Sequence, residues 1–233
     1  GGVHPEVKLT SRSDGSGDAF YQKRAPAKLP DFVDTATVHF PSGRPAVEVT
    51  PRNLATLVWM INLGTLRFHP WPVTAPDTEL VDQLRLDLDP QPGTDFADAV
   101  PAALEPRVKT SGNRGLHVFA HIVPDHEFLD VRHAVIAAAR ELERRMPRHV
   151  TTNWWKEERG ERIFVDFNQA NRDRTMAGAY SPRALPHAPV STPIMWEELP
   201  GVDPRTFTVR TVPERLREQG DPWAIGGGAA PGT

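Results

Sequence analysis

Leu84-Arg85-Leu86-Asp87-Leu88-Asp89 alternates apolar and charged residues with period two. Successive side chains on a strand point to opposite faces, so this pattern predicts a half-buried β-strand. Leu84, Leu86 and Leu88 are expected to face a core, and Arg85, Asp87 and Asp89 to share the other face. At a rise of about 3.3 Å per residue, Asp87 and Asp89 stand roughly 7 Å apart at Cα, and their side chains can converge on a pair of divalent cations. Pro90 and Gly93 follow at once, which puts the acidic pair at the strand's mouth. Asp-x-Asp at a strand end also serves sugar transferases, calcium sites and plain solvated edges. Other residues must decide.

The chain has 233 residues, enough to bury a real core as one large domain or two small ones. Apolar residues make up 39% of it and both charge signs are interspersed, as in soluble globular proteins. No apolar run approaches the ~20 residues of a membrane span, and no signal-peptide pattern opens the sequence. Cysteine is absent, which excludes disulfides and thiolate ligands and leaves carboxylate or imidazole to hold any metal. A cytoplasmic setting fits. Net charge is only −3, so a nucleic-acid partner needs a local basic groove.

Residues 1–17 read as a polar loop, or as a pair of short strands around Asp14-Gly15. Phe20-Tyr21-Gln22-Lys23-Arg24 sets aromatics beside cations, a pairing that stacks on bases while neutralising phosphates. A strand end with snorkelling cations is the plainer alternative. Residues 35–40 and 46–49 are short β-like runs split by Pro41-Ser42-Gly43-Arg44-Pro45, which predicts a hairpin. Thr50-Pro51 is expected to start a helix with Thr50 as N-cap, Leu54, Leu57, Val58 and Ile61 recurring at helical spacing, and Gly64 as its stop. Residues 66–72 predict a short strand running into a proline-locked turn, with His69 near the strand's end. A lone histidine there is more often structural. Residues 74–78 read as a loop.

Residues 96–104 suggest a short helix, or two pieces broken at Pro101. Val108 begins a strand that enters Ser111-Gly112-Asn113-Arg114-Gly115-Leu116-His117. Val118, Ala120 and Ile122 continue it on one face, with His117, Phe119 and His121 on the other. A Ser-Gly-x-x-Gly turn can expose backbone N–H groups as an anion-binding nest, to which Arg114 and His117 add donors. A Gly-rich hairpin turn is the alternative, and no lysine-serine/threonine pair follows to make a P-loop.

Residues 125–146 form the clearest helix, capped by Asp125 and ended by Pro147, with Phe128, Val131, Val135, Ala138 and Leu142 as its buried stripe. Residues 154–160 read as a loop before a strand at 162–167, where Asp166 stands inside an apolar run. An isolated buried aspartate is costly unless paired or metal-bound. Residues 168–183 are rich in side-chain donors, which suits a triphosphate beside a metal or simply a polar surface loop. Further on, residues 186–193 are proline-rich and extended, Trp196 starts a helical turn, residues 207–212 suggest a last strand and 213–218 a last helix. Residues 226–233 are expected to be disordered.

Three strand aspartates without cysteine favour hard cations, Mg²⁺ or Mn²⁺. Two such ions about 3.5–4 Å apart lower the pKa of an attacking hydroxyl and stabilise a leaving phosphate. The reaction class this predicts is phosphoryl or nucleotidyl transfer.

Several segments also carry a family likeness in order along the chain. They are residues 20–26, Arg67-Phe68-His69-Pro70-Trp71, Asp87-Leu88-Asp89-Pro90, residues 110–117, Phe164-Val165-Asp166-Phe167-Asn168-Gln169, and 175–193 with Tyr180-Ser181-Pro182-Arg183. On these residues the sequence resembles the archaeo-eukaryotic primase superfamily, specifically the polymerase domain associated with bacterial ATP-dependent DNA ligases of the ligase D and ligase C type. The resemblance implies an α+β primase-polymerase fold: a catalytic antiparallel or mixed β-sheet flanked by helices, with a smaller β-module, as one domain over residues 1–225. It implies a nucleotidyltransferase adding nucleotides, preferably ribonucleotides, to DNA 3′ ends in gap filling and double-strand-break repair.

By the same resemblance, Asp87, Asp89 and Asp166 are catalytic and bind two divalent ions, Mn²⁺ or Mg²⁺. His69, Ser111, Arg114, His117, Arg159, Gln169 and Arg183 bind the incoming NTP or dNTP, with His69 sensing the ribose 2′-OH. Phe20, Tyr21, Lys23 and Arg24 bind template-primer or gapped DNA. The implied partners are an ATP-dependent DNA ligase and an end-binding repair protein, in a bacterial cytoplasm near the nucleoid, with no membrane. Family members carry some tens of residues before the Phe-Tyr-Gln-Lys segment, including lysines that grip a 5′-phosphate. Nineteen residues precede Phe20 here, offering Lys8 and Arg12. A two-metal nuclease or a non-catalytic DNA end-bridging module are the alternatives to a polymerase.

Overall fold

The computed structural model describes residues 3–10, 19–94 and 107–225, with side chains described over 22–94 and 107–224. The helix expected at 96–104, the turn at Asp14-Gly15 and the tail at 226–233 lie outside the described residues. The chain forms two compact units, each gathered from three stretches. The first comprises Gly1–Arg85, His121–Ala137 and Phe167–Gly178, and the second Leu86–Ala120, Ala138–Asp166 and Ala179–Thr233. Among the described residues no helix is long and apolar enough to cross a membrane.

In the first unit, β1 (Val3–Thr10) pairs antiparallel with β2 (Ala19–Gln22), Leu9 opposite Phe20 and Lys8 opposite Tyr21. The expected hairpin is present as β3 (Asp34–His39) and β4 (Pro45–Thr50). Gly43 turns it at φ +76°, a left-handed conformation that costs glycine little, and its N–H donates to the Phe40 carbonyl at 2.8 Å. The first helix, α1 (Leu54–Asn62), starts later than Thr50-Pro51 predicts. Thr50 is the last residue of β4, and Asn53 is the N-cap, its side-chain oxygen accepting the Thr56 N–H at 2.8 Å. The buried face differs too. Thr56 and Met60 are inside while Leu54, Val58 and Ile61 are exposed. This helix is apolar almost all round, so spacing alone does not select a face. Met60 packs with Val33 and Val49 in a cluster that also takes up Trp59 and Phe68.

Two further strands depart from expectation. β5 (Thr65–Thr74) is ten residues long and runs through Pro70 and Pro72. His69 is therefore inside the strand and buried, not at its end. Prolines break a ladder because they lack an N–H. Here Pro70 faces Pro5 where the register slips, and the Pro72 carbonyl still accepts the Asp82 N–H at 2.9 Å. β6 (Asp77–Val81) replaces the loop expected at 74–78 and completes an antiparallel sheet of order β2-β1-β5-β6.

β7 (Gln83–Pro90) is the predicted acidic strand, with its first three residues in the first unit. Its centre is not half-buried: Arg85, Leu86, Asp87 and Leu88 are all buried. Arg85, expected on an open face, donates to the Pro70 and Trp71 carbonyls at 2.7 and 2.8 Å, and burial brings its pKa down to about 10. β7 lies inside the second unit's mixed six-stranded sheet. The other strands are β8 (Arg107–Thr110), β9 (Leu116–His121), β10 (Val150–Thr151), β11 (Ile163–Val165) and β12 (Pro193–Ile194), in the order β10-β11-β7-β9-β8-β12. β10 and β11 are parallel and β11 and β7 antiparallel.

The long helix α2 is Phe128–Arg145. Glu127 bridges to Leu80 as an isolated β-residue, so the helix begins after it and Asp125 is not the cap. Its stripe is Phe128, Val131, Val135, Ala139 and Leu142, with Ala139 in place of Ala138. A short helix α3 (Lys156–Arg159) occupies part of the expected 154–160 loop. No strand forms at 207–212. Thr208 makes a single bridge to Pro189, its hydroxyl and that of Thr211 engage local backbone, and helix α4 (Val212–Gln219) follows.

Candidate active site

Asp87 and Asp89 point from β7, and Asp166 stands just past the end of β11 rather than within a strand. Backbone pairing brings the two strands together: Phe164 is opposite Asp89, and the Asp166 N–H donates to the Asp87 carbonyl at 2.9 Å. One carboxylate oxygen from each of the three acids lies within 4.8 Å of the others. All three belong to the second unit. Burial first, then the Asp89 and Asp166 carboxylates, hold the Asp87 carboxyl well above the usual range. Burial and Asp166 raise that of Asp89, against the opposing pull of Arg159 and Arg183. Three hard oxygen donors crowded this closely fit a divalent cation such as Mg²⁺ or Mn²⁺.

The hairpin between β8 and β9 closes over this cluster. A Cβ on Gly115 would meet the Leu88 carbonyl oxygen at 2.5 Å, so only glycine lets the turn come this near the acidic strand. The turn is less open than an anion nest requires. The Ser111 hydroxyl accepts the Asn113 and Gly115 N–H groups at 3.3 and 3.1 Å, turning both inward. Gly112, at φ +73°, packs against Arg183, whose Cγ a Cβ there would meet at 2.7 Å. Arg114 is exposed and donates to the Thr94 carbonyl at 2.7 Å.

Arg159 is buried and firmly held. Its guanidinium stacks 3.5 Å from the centre of the Phe164 ring and donates to the carbonyls of Asn153 (3.1 Å) and Trp154 (2.8 Å). Gln91 joins it to the acidic strand, accepting from Arg159 at 3.4 Å and donating to the Asp89 carbonyl at 3.1 Å. His117 sets its Nε2 3.4 Å from Asp87 Oδ1. Behind it stands Lys109, which sequence reasoning missed. This lysine is fully buried, opposite His117 in the β8–β9 register, with Nζ 2.7 Å from His117 Nδ1. The hairpin register was the available signal, since it puts Lys109 and His117 on one face.

The structure thus gathers Asp87, Asp89, Asp166, Ser111, Arg114, His117, Arg159 and Arg183 into the second unit. His69, Gln169, Lys23 and Arg24 fall in the first. There Gln169 belongs to a 3₁₀ turn, Phe167–Ala170, and Lys23 lies over the Phe40 ring at 5.5 Å. Lys23, Arg24, Phe40, Arg44 and Asp173 line an open pocket of about 470 Å³. The backbone of Phe20 and Tyr21 is in β2, and their side chains lie outside the described residues.

A mixed sheet that presents three converging carboxylates beside a glycine hairpin and the buried Arg159 is the arrangement of a polymerase-type domain whose acids could hold a divalent cation. The pattern of the LigD primase-polymerase domain matches residues 7–223, and the chain belongs to that family. It is 30% identical to the multifunctional non-homologous end joining protein LigD of Pseudomonas aeruginosa, over 94% of this chain and 28% of that protein. With the bifunctional non-homologous end joining protein LigD of Bacillus subtilis it shares 27% identity, over 88% of this chain and 35% of that protein. The chain therefore spans about a third or less of these relatives. The fold matches the polymerase domain of Mycobacterium tuberculosis ligase D, solved in complex with DNA, at a TM-score of 0.84. That match has 24% identity and covers 96% of this chain and 84% of the other.

Proposed function

We propose that this chain is a template-dependent nucleotidyltransferase that adds nucleotides, ribonucleotides by preference, to DNA 3′ ends during gap filling and end joining. The observation that carries the reading is the Asp87, Asp89 and Asp166 cluster within a chain of the LigD primase-polymerase family. The three carboxylates would hold two Mn²⁺ or Mg²⁺ ions, which supply activation of the attacking 3′-hydroxyl and charge for the leaving pyrophosphate.

The chain's own residues do the rest. Arg159 is fixed by stacking and by two carbonyls, so its charge stands ready without reorganisation. Together with Ser111, Arg114, His117 and Arg183 it would bind the triphosphate, because guanidinium and imidazole N–H groups match anionic oxygens. Gln169 and His69 are assigned to the same nucleotide, His69 to its ribose, by family resemblance alone. Lys23 and Arg24, whose pocket also has Arg44 and an aromatic wall, would take DNA phosphates, with Phe20 and Tyr21 stacking on bases. A DNA ligase and an end-binding repair protein would be its partners in end joining, in the bacterial cytoplasm beside the nucleoid.

Primer extension on a gapped duplex tests the reading, with NTPs and dNTPs compared under Mn²⁺ and Mg²⁺. Templated incorporation that stops when Asp89 is replaced by alanine is expected. Metal-dependent loss of nucleotides from the primer, with no addition, would replace the polymerase by a nuclease.

A further inference from the structure

A fully buried lysine is unusual, because taking an ammonium out of water is costly unless its donors find partners. Lys109 has no exposed surface, and its Nζ lies 5.4 Å from the centre of the Phe119 ring. Its neighbours form an ordered series whose polarity can be read from one end. The Thr110 carbonyl can only accept, so the Ser191 hydroxyl, 2.7 Å away, donates to it. Ser191 Oγ is then free to accept from Lys109 Nζ, with which it makes a close hydrogen bond. An ammonium has three donors and no lone pair. The contact to His117 Nδ1 at 2.7 Å is therefore a donation by Lys109, and that ring nitrogen carries no proton. The proton of the neutral imidazole must sit on Nε2, which faces Asp87 Oδ1 at 3.4 Å.

We infer that Lys109, oriented by Ser191 and the Thr110 carbonyl, is a positioning residue that locks His117 in the Nε2–H tautomer, so that His117 meets the acidic site as a hydrogen-bond donor. Through that nitrogen His117 is then neither a metal ligand nor a general base, since a protonated nitrogen has no lone pair to give. The donor set fits this: the cluster among the described residues that could hold a metal consists of the three aspartates without His117. The consequence for nucleotide binding rests on the proposed nucleotidyl transfer, where an Nε2–H aimed at the site would donate to an anionic phosphate oxygen. The tautomer itself does not depend on that reading.

Ring-nitrogen NMR of the ¹⁵N-histidine-labelled chain, with His117→Gln to assign the signal, tests it without metal or nucleotide. His117 is expected to show a pyrrole-like Nε2 and a pyridine-like Nδ1. A proton on Nδ1 in the wild-type spectrum would overturn the inference, whether or not any variant folds and whether or not the chain extends primers. In Lys109→Met, which keeps the length of the side chain but removes the donors, the ring should become a mixture of tautomers. The KM for the nucleoside triphosphate should then rise about tenfold, with a smaller change in kcat. A folded Lys109→Met chain with the wild-type tautomer and an unchanged KM would show that Lys109 serves packing alone.

Discussion

Gly115 and Leu88 approach so closely that a Cβ on the glycine would meet the Leu88 carbonyl oxygen at 2.5 Å and Asp89 Oδ1 at 3.2 Å. The obstacle is strand backbone, which cannot rotate away as a flexible side chain would. Gly115→Ala must therefore push the hairpin off β7 or displace Asp89. Overpacking of this kind costs about 1–3 kcal/mol. A melting temperature lowered by several degrees and a large loss of extension are expected. Gly201→Ala, where added methyl volume meets nothing within 4 Å, should leave both near wild type. If Gly115→Ala melts and extends like the parent, the hairpin does not depend on that contact.

The acidic triad sets a pH dependence opposite to that of a salt-bridged carboxylate. Burial and neighbouring charge raise the Asp87 and Asp89 carboxyls in the folded chain. The folded chain then keeps protons that the unfolded chain releases near about pH 4. Metal-free stability contributed by these groups is therefore greatest below that pH and falls as pH rises through the folded values. Asp87→Asn should abolish extension, yet melt higher than the parent in EDTA, by a margin that grows from acid to neutral pH. Excess Mn²⁺ should reverse the order, because it stabilises only the intact triad. Calorimetry across that pH range decides the matter. A margin that shrinks toward neutral pH would mean the carboxylates are not in conflict.

How much of this was readable in the residues differs from element to element, for physical reasons. The β3–β4 hairpin was legible because Gly43 and its flanking prolines act locally, and β7 because period two survives in any context. The face of α1 was hidden, since a nine-residue helix that is apolar nearly all round can bury either side. The full length of β5 was hidden by its prolines, whose cost the slipped register opposite Pro5 accommodates. At the site the three aspartates stood out, each an acid among apolar neighbours. Lys109 did not, because one lysine in a strand reads as an exposed position until its partner across the hairpin is known. The division into two units is likewise a long-range property, as each is assembled from three separated stretches.

With a net charge of −3, affinity for DNA must come from local cations. Lys23, Arg24 and Arg44 line one pocket in the first unit together with Phe40, and Asp173 is the acid among its described lining residues. Each phosphate neutralised releases counterions, which gives a slope of about −0.9 in log K against log salt per contact on duplex DNA. Lys23→Ala and Arg44→Ala should each weaken binding to gapped DNA and flatten the slope by about one, whatever the base sequence. Anisotropy titrations at several salt concentrations measure both quantities. An unchanged slope in both variants would move the DNA surface elsewhere.

Sugar choice is the finest property proposed, and the proposal assigns it to His69. The imidazole is buried inside β5, a ten-residue strand, so the backbone that carries it has little freedom to lose on binding. A site built to pair with a hydroxyl rejects the analogue that lacks it, because a buried polar group is then left unpaired at a cost of about 1–3 kcal/mol. Ribonucleotides should therefore be incorporated at least ~10-fold better than deoxynucleotides, a little over 1 kcal/mol at the transition state. His69→Ala should cut NTP use far more than dNTP use, and so compress the ratio of kcat/KM values toward one. Single-nucleotide extension with matched NTP and dNTP pairs gives that ratio directly. Equal losses for both sugars would make His69 a core residue of β5, and a parent chain that prefers dNTPs would leave no sugar selection for it to perform.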